Sequence, residues 1–182
     1  MLYDPRKIIG RPLPLHITST GPYGNIGAMA NATNNFAFGA SNWPANNRAV
    51  YMPIHLPSRF TIARFMVCNG TSVSGNFDVG IYNDAGTRLL STGAVLQSGT
   101  NAVQYAGVTD LSLPAGHYYL ALVLSSTGGE TRRVTIGDQY QGRVSGLLQE
   151  ALGATTLPTT MTGVSYTNTN APCFGFTQSD TL

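Results

Sequence analysis

The chain has 182 residues, of which 10% are Asp, Glu, Lys or Arg, whereas soluble domains usually carry about 25%. Its formal net charge of +2 and 42% hydrophobic content exclude a strongly basic nucleic-acid binder and a disordered chain. Two cysteines, Cys68 and Cys173, exclude a dense disulfide framework, and the length suits one domain, or one domain with an extension.

Small polar residues replace the missing charge: 21 Thr, 13 Ser, 13 Asn and 21 Gly. Such a surface is neutral and hydrogen-bonding. Cys68 and Cys173 lack metal-ligand spacing and read as two buried free thiols, with a single disulfide as the other reading. No uninterrupted apolar run approaches the roughly 20 residues of a spanning helix. The start, Met1 to Lys7, has no apolar segment behind it. Neither membrane insertion nor a targeting segment is therefore expected.

Residues 1–47 read as an extended arm. Arg6, Lys7 and Arg11 form a basic cluster, followed by Pro12, Pro14, Pro22 and an Asn-rich run from Asn31 to Asn47. Loops of this length are uncommon inside compact domains, so the arm is expected to pack on its own domain or on neighbouring subunits. Trp43 is the only Trp. It reads either as a peg that anchors the arm or as a stacking platform for a sugar, and the peg is favoured.

Residues 48–182 read as a β domain. Arg48 to Leu56 and Phe60 to Cys68 are apolar runs, the second with Phe60, Ile62 and Arg64 on one face. Asn69-Gly70 signals a turn. Phe77, Val79 and Ile81 alternate with Asp78, Gly80 and Tyr82, which predicts one buried and one wetter face. Asn83 to Gly86 closes a hairpin, with Gly86 suited to a positive φ. A further strand is expected near Ala102 to Tyr105. After Pro114-Ala-Gly116, a strand from about His117 has Tyr118, Leu120, Leu122 and Leu124 on one face and Tyr119, Ala121 and Val123 on the other. Two apolar faces mark a central strand. Arg133 to Gly137 and Phe174 to Thr177 supply two more. Val144, Leu147, Leu148, Ala151 and Leu152 share helical spacing, which predicts one short helix near 144–152 ending at Gly153.

Chemistry is sparsely represented. His16, His55 and His117 belong to no metalloprotease, nucleophile-elbow or phosphate-loop pattern. Paired carboxylates would serve a glycosidase, but turn and cap roles account for most of the acids. Asp78, Asp84 and Asp110 lack the clustered spacing of a calcium loop. We therefore expect no enzyme, no cofactor and no metal. Trp43, Tyr51, Tyr82 and Tyr105 are the candidate rings for a glycan or subunit contact. Arg6, Lys7 and Arg11 are candidates for subunit contact. Residues 1–64 hold six bases against one acid, and the remainder four bases against seven acids. That asymmetry fits an arm meeting the β domain of another copy, and equally a scatter of solvated Arg. Asn-X-Thr triplets at Asn31 and Asn69 match a glycosylation pattern, read here as coincidence.

Asn42-Trp-Pro-Ala-Asn-Asn-Arg-Ala49, Gly75-Asn-Phe-Asp-Val-Gly-Ile-Tyr-Asn-Asp-Ala-Gly-Thr87, Ser98-Gly-Thr and Leu113-Pro-Ala-Gly-His-Tyr-Tyr-Leu-Ala occur in this order. The run resembles sandwich domains in structural proteins of tailed bacteriophages, often tail-associated or fibre-like. It resembles carbohydrate-binding-module jelly rolls more loosely. The resemblance covers about residues 42–127 and brings no catalytic residues. It implies a non-enzymatic virion component, assembled in the host cytoplasm, with copies of itself and other virion proteins as partners. Capsid decoration or a head fibre is the alternative position, and recognition of a host-surface glycan the alternative function. The expected fold is all-β: an antiparallel jelly-roll-like β-sandwich at 48–182, with the arm at 1–47 and the one helix.

Overall fold

Short alternating apolar runs between Gly, Pro and Asn turns form strands throughout the computed structural model, which describes residues 26–27, 39–135, 146–166 and 170–177. In chain order the strands are β1 (Ile26–Gly27), β2 (Gly39–Asn42), β3 (Arg48–Leu56), β4 (Phe60–Cys68), β5 (Asn76–Asn83), β6 (Arg88–Ser91) and β7 (Val95–Leu96). They continue with β8 (Val103–Leu113), β9 (Gly116–Leu124), β10 (Glu130–Thr135), β11 (Leu148–Ala151), β12 (Ser165–Tyr166), β13 (Asn170–Pro172) and β14 (Phe174–Thr177). The described residues are thus all-β, as expected, and every strand pairing among them is antiparallel.

Among the described residues three sheets result. A seven-stranded sheet has the order β12-β11-β3-β9-β5-β6, with β7 also on β5. A four-stranded sheet has the order β1-β14-β4-β8, and a three-stranded one β13-β10-β2. The central place of β9 follows from its composition, because both of its faces are apolar. Leu120, Leu122 and Leu124 join Val50, Ile54, Phe77, Val79 and Ile81 in the principal core, with Phe65 and Val67 of β4 and Phe174 and Phe176 of β14. Phe176 packs edge-on to Phe60 at 5.1 Å. Ala121 and Val123, on the opposite face, join Ala49, Tyr51, Tyr82 and Leu148 beneath Leu157 and Met161. Residues 39–47 belong to the same folded body: β2 pairs with β10, and Trp43 is part of the principal core.

Three expectations need correction. No helix forms over the described part of 144–152: residues 146–147 lead into β11, which pairs with both β3 and β12, while Val144 lies outside the described residues. The helical spacing mixed two faces, since Leu147 lies in the principal core and Leu148 in the second cluster. Gly146, at φ 68°, turns the chain where a helix would have to run. On β4, a register shift between Ile62 and Arg64 moves Phe65 and Val67 to the core side, so Arg64 does not continue the face of Phe60 and Ile62. The second face of β5 is not wetter: Asp78, Gly80 and Tyr82 are all buried. The hairpin after β5 forms where expected, with Gly86 at φ 81°.

Burial of that second face sets a test. A Cβ on Gly80 would stand 2.8 Å from the Leu90 carbonyl oxygen and 2.9 Å from Leu157, whereas a Cβ on Gly107 of β8 would meet nothing within 4 Å. Gly80→Ala is expected to destabilise the protein by about 1–3 kcal/mol, and Gly107→Ala to change it by no more than about 0.5 kcal/mol. Urea denaturation of the two variants checks this, and equal losses would refute the packing.

Candidate functional site

The four candidate rings fall in different places. Trp43 is 3% exposed. Its Nε1–H donates to the Arg48 carbonyl at 2.9 Å and its backbone N–H to that of Gly129 at 2.9 Å. This is the geometry of a peg. Tyr51 and Tyr82 are brought together on the second face of the seven-stranded sheet, edge to face at 5.4 Å, and both are fully buried. Tyr105, on β8 opposite Met66, is half-buried and is the one ring of the four with substantial accessible surface. Arg6, Lys7 and Arg11 lie outside the described residues.

Around Tyr51 and Tyr82 lies a group that sequence reasoning missed. Residues 152–164 cross the second face as a strap, with Leu157 and Met161 as its apolar plug. Two buried carboxylates hold it. Asp78 accepts the Leu157 N–H at 2.8 Å and the Thr92 hydroxyl at 3.1 Å. Glu150 accepts the Tyr51 hydroxyl at 2.7 Å, the Thr162 hydroxyl at 2.8 Å and the Gly163 N–H at 3.0 Å. The Tyr82 hydroxyl donates to the Pro158 carbonyl at 2.7 Å, and the Arg88 guanidinium donates to that of Leu157. The polar groups named here under the strap thus have the partners that buried positions demand.

The two acids are shifted in opposite directions. Burial raises the pKa of Asp78, against the opposing bonds from Leu157 and Thr92 and the charge of Arg88. Burial also pushes Glu150 upward, but its bonds from Tyr51, Gly163 and Thr162 outweigh this and hold it below the usual range. Glu150 faces Ala49, Ala49 faces Val123, and Val123 faces Asp78. Three strand spacings put the two backbones about 14 Å apart.

A second polar group ties the loops at one end of the molecule. Asn69 is 1% exposed. Its Nδ2 donates to the Ser98 carbonyl at 2.6 Å and to Gln104 Oε1 at 3.1 Å, and its Oδ1 accepts from Gln97 at 3.0 Å. An amide engaged in this way is no glycosylation acceptor. Glu130 accepts the Thr71 hydroxyl at 2.5 Å and the Thr71 and Ser72 N–H groups at 2.8 and 3.1 Å. The Thr71 hydroxyl bond above all holds its carboxyl below the usual range. Leu96 and Val103 are exposed beside this end, joined through the bond from Gln104 Nε2 to the Leu96 carbonyl at 2.8 Å. A pocket lined by Asn42, Trp43, Pro44, Val50, Thr131, Arg133 and Pro172 has a cavity volume of about 10 Å³, room for about one water and far below the roughly 300–1,000 Å³ of small-molecule sites. Among the described residues, no group of three or more His, Cys, Asp or Glu could hold a metal ion.

The chain matches no protein-family model and no curated protein sequence.

The strap yields a prediction with a defined sign. Folding lowers the pKa of Glu150, so its stabilising contribution is present above the ordinary carboxylate range and is lost as pH falls through the folded-state value. Asp78 has the opposite sign: its raised pKa favours the folded state when protonated, and that advantage fades as pH rises through it. Tyr51→Phe is expected to cost about 1.5–3 kcal/mol at neutral pH, the loss of a hydrogen bond to a charged acceptor, and to reduce the acid-side loss. Thermal unfolding from neutral to acid pH measures both effects. A variant with wild-type stability and the wild-type pH profile would show that the Tyr51–Glu150 bond does not hold the strap.

Proposed function

We propose that this chain is a non-enzymatic structural component of a tailed phage virion, tail-associated at the tip or in a fibre. It is built on a jelly-roll-like β-sandwich, and of the arm expected at 1–47 the residues before β2 join neighbouring subunits, since 39–47 pack on the β domain itself. The observation that carries assembly is the open edge of β8. Among the described residues this eleven-residue strand is paired on one side only, with β4. Asp110 is its only charge, and it has no Lys, Arg or Pro. Long edges without such residues are templates for another chain, which solitary domains normally blunt. Val103, its first residue, is exposed, and so is Leu96 nearby.

The virion assignment rests on the resemblance of residues 42–127, and the internal use of the acids supports it. Asp78, Glu150 and Glu130 each accept backbone N–H groups of loops, so each has a structural task. Capsid decoration would use the same edge. A host-surface glycan would have to be met by Tyr105 and the neutral loop end, since Trp43, Tyr51 and Tyr82 are buried.

The full chain is expected to form a homo-oligomer by light scattering. Leu96→Glu combined with Val103→Lys should shift it toward monomer without lowering its melting temperature. Charge reversal at Arg6, Lys7 and Arg11 should weaken it in the same way. A wild-type monomer with residues 1–47 fully protected from hydrogen exchange would sink the assembly role. Glycan-array binding abolished by Tyr105→Ala would favour recognition over scaffold.

A further inference from the structure

Cys173 stands where the chain passes between sheets. Pro172, before it, pairs with Arg133 of β10, and Phe174, after it, pairs with Val67 of β4. Its N–H donates to the Arg132 carbonyl at 2.6 Å, while its own carbonyl accepts the Cys68 N–H at 2.9 Å. Cys68 ends β4, so the two cysteines face each other across adjacent antiparallel chains. The Cys173 thiol donates to Cys68 Sγ at 2.8 Å. Cys173 is buried and Cys68 half-buried. Backbone register, side-chain direction and sulfur proximity thus coincide at one joint, as cross-linking requires.

We propose that Cys68 and Cys173 form a reversible intramolecular disulfide by exchange with a small-molecule disulfide. Cys68 is the attacking group because it is the more accessible. Its thiolate is favoured by the Cys173 hydrogen bond and by the charge of Arg132, against the effect of burial, whereas its hydrogen bond to Cys68 and its burial hold Cys173 as the thiol. In the first step the Cys68 thiolate attacks one sulfur of the reagent. A mixed disulfide forms, and one reagent thiolate leaves with the electron pair and takes up the Cys68 proton. In the second step Cys173 loses its proton and attacks Cys68 Sγ. The second reagent thiolate leaves with the pair and accepts that proton. Two protein thiols are oxidised by two electrons, and one reagent disulfide is reduced to two thiols.

The bond would tie β4 to the sheet crossover and close a loop between positions 105 apart in sequence. Cross-linking so long a loop restricts the unfolded chain far more than the folded one. The inference does not rest on the virion assignment.

The test uses the reduced, folded full chain, incubated with oxidised glutathione and quenched by alkylation in denaturant. The wild type is expected to lose both thiols, with a mass lower by two hydrogens, no glutathione adduct and no interchain cross-link. A dithiol reductant should restore both thiols, and the oxidised form should melt several degrees higher. Cys173→Ser should trap glutathione on Cys68, and Cys173→Ala serves where the serine variant fails to fold. Retention of both thiols, a persistent adduct on the wild type, or interchain dimers would overturn the proposal. Equal melting of the oxidised and reduced forms would overturn the stapling role.

Discussion

The whole architecture turns on one constraint: β9 is apolar on both faces, so both must be covered. A strand with one apolar face can lie at a surface, but this one cannot. On one side the demand is met by a second sheet, through Phe65 and Val67 of β4 and Phe174 and Phe176 of β14. On the other side no sheet is present among the described residues, and the cover is the strap at 152–164 with Leu157 and Met161. The strap meets the strands by one isolated antiparallel bridge, Thr87 with Thr160, rather than by a continuous ladder. Asp78 and Glu150 supply the missing acceptors, which accounts for two carboxylates buried in a chain so poor in charge.

The same logic runs through the loop end. Asn69, Gln97 and Glu130 are placed so that their side chains accept or donate to the backbone of two loops, the one between β7 and β8 and the one between β4 and β5. Neutral amides do most of this work, and they desolvate at less cost than charges. What faces outward is accordingly poor in charge, with a β8 edge open among the described residues and exposed Leu96 and Val103. A surface of this kind suits repeated contact between protein copies.

Much of the fold was legible because strand alternation is a local signal. The strand around Phe77, the hairpin at Gly86 and the central place of Tyr118 to Leu124 each follow from a few neighbouring residues. The failures also have physical causes. Leu147 and Leu148 look like one helical stripe, yet two adjacent leucines satisfy a strand equally well when both of its faces are buried. Asp78 was expected on a wetter face, because a charged side chain in a strand ordinarily marks solvent. Its actual partner, the Leu157 N–H, is 79 residues away. The four aromatic candidates form no shared exposed site for the same reason: ring exposure depends on what packs above, and Tyr51 and Tyr82 meet beneath the strap.

The sequence by itself determined the strand class, most turns, the central strand and the charge-poor surface, since these depend on composition and on residues within a few positions of each other. Only the tertiary structure decided which second faces are covered, the shift in β4 after Ile62, the tasks of Asp78 and Glu150, and the meeting of Cys68 with Cys173. Those features rest on contacts between distant parts of the chain. Such contacts follow from sheet order and register, which periodicity along the chain does not encode.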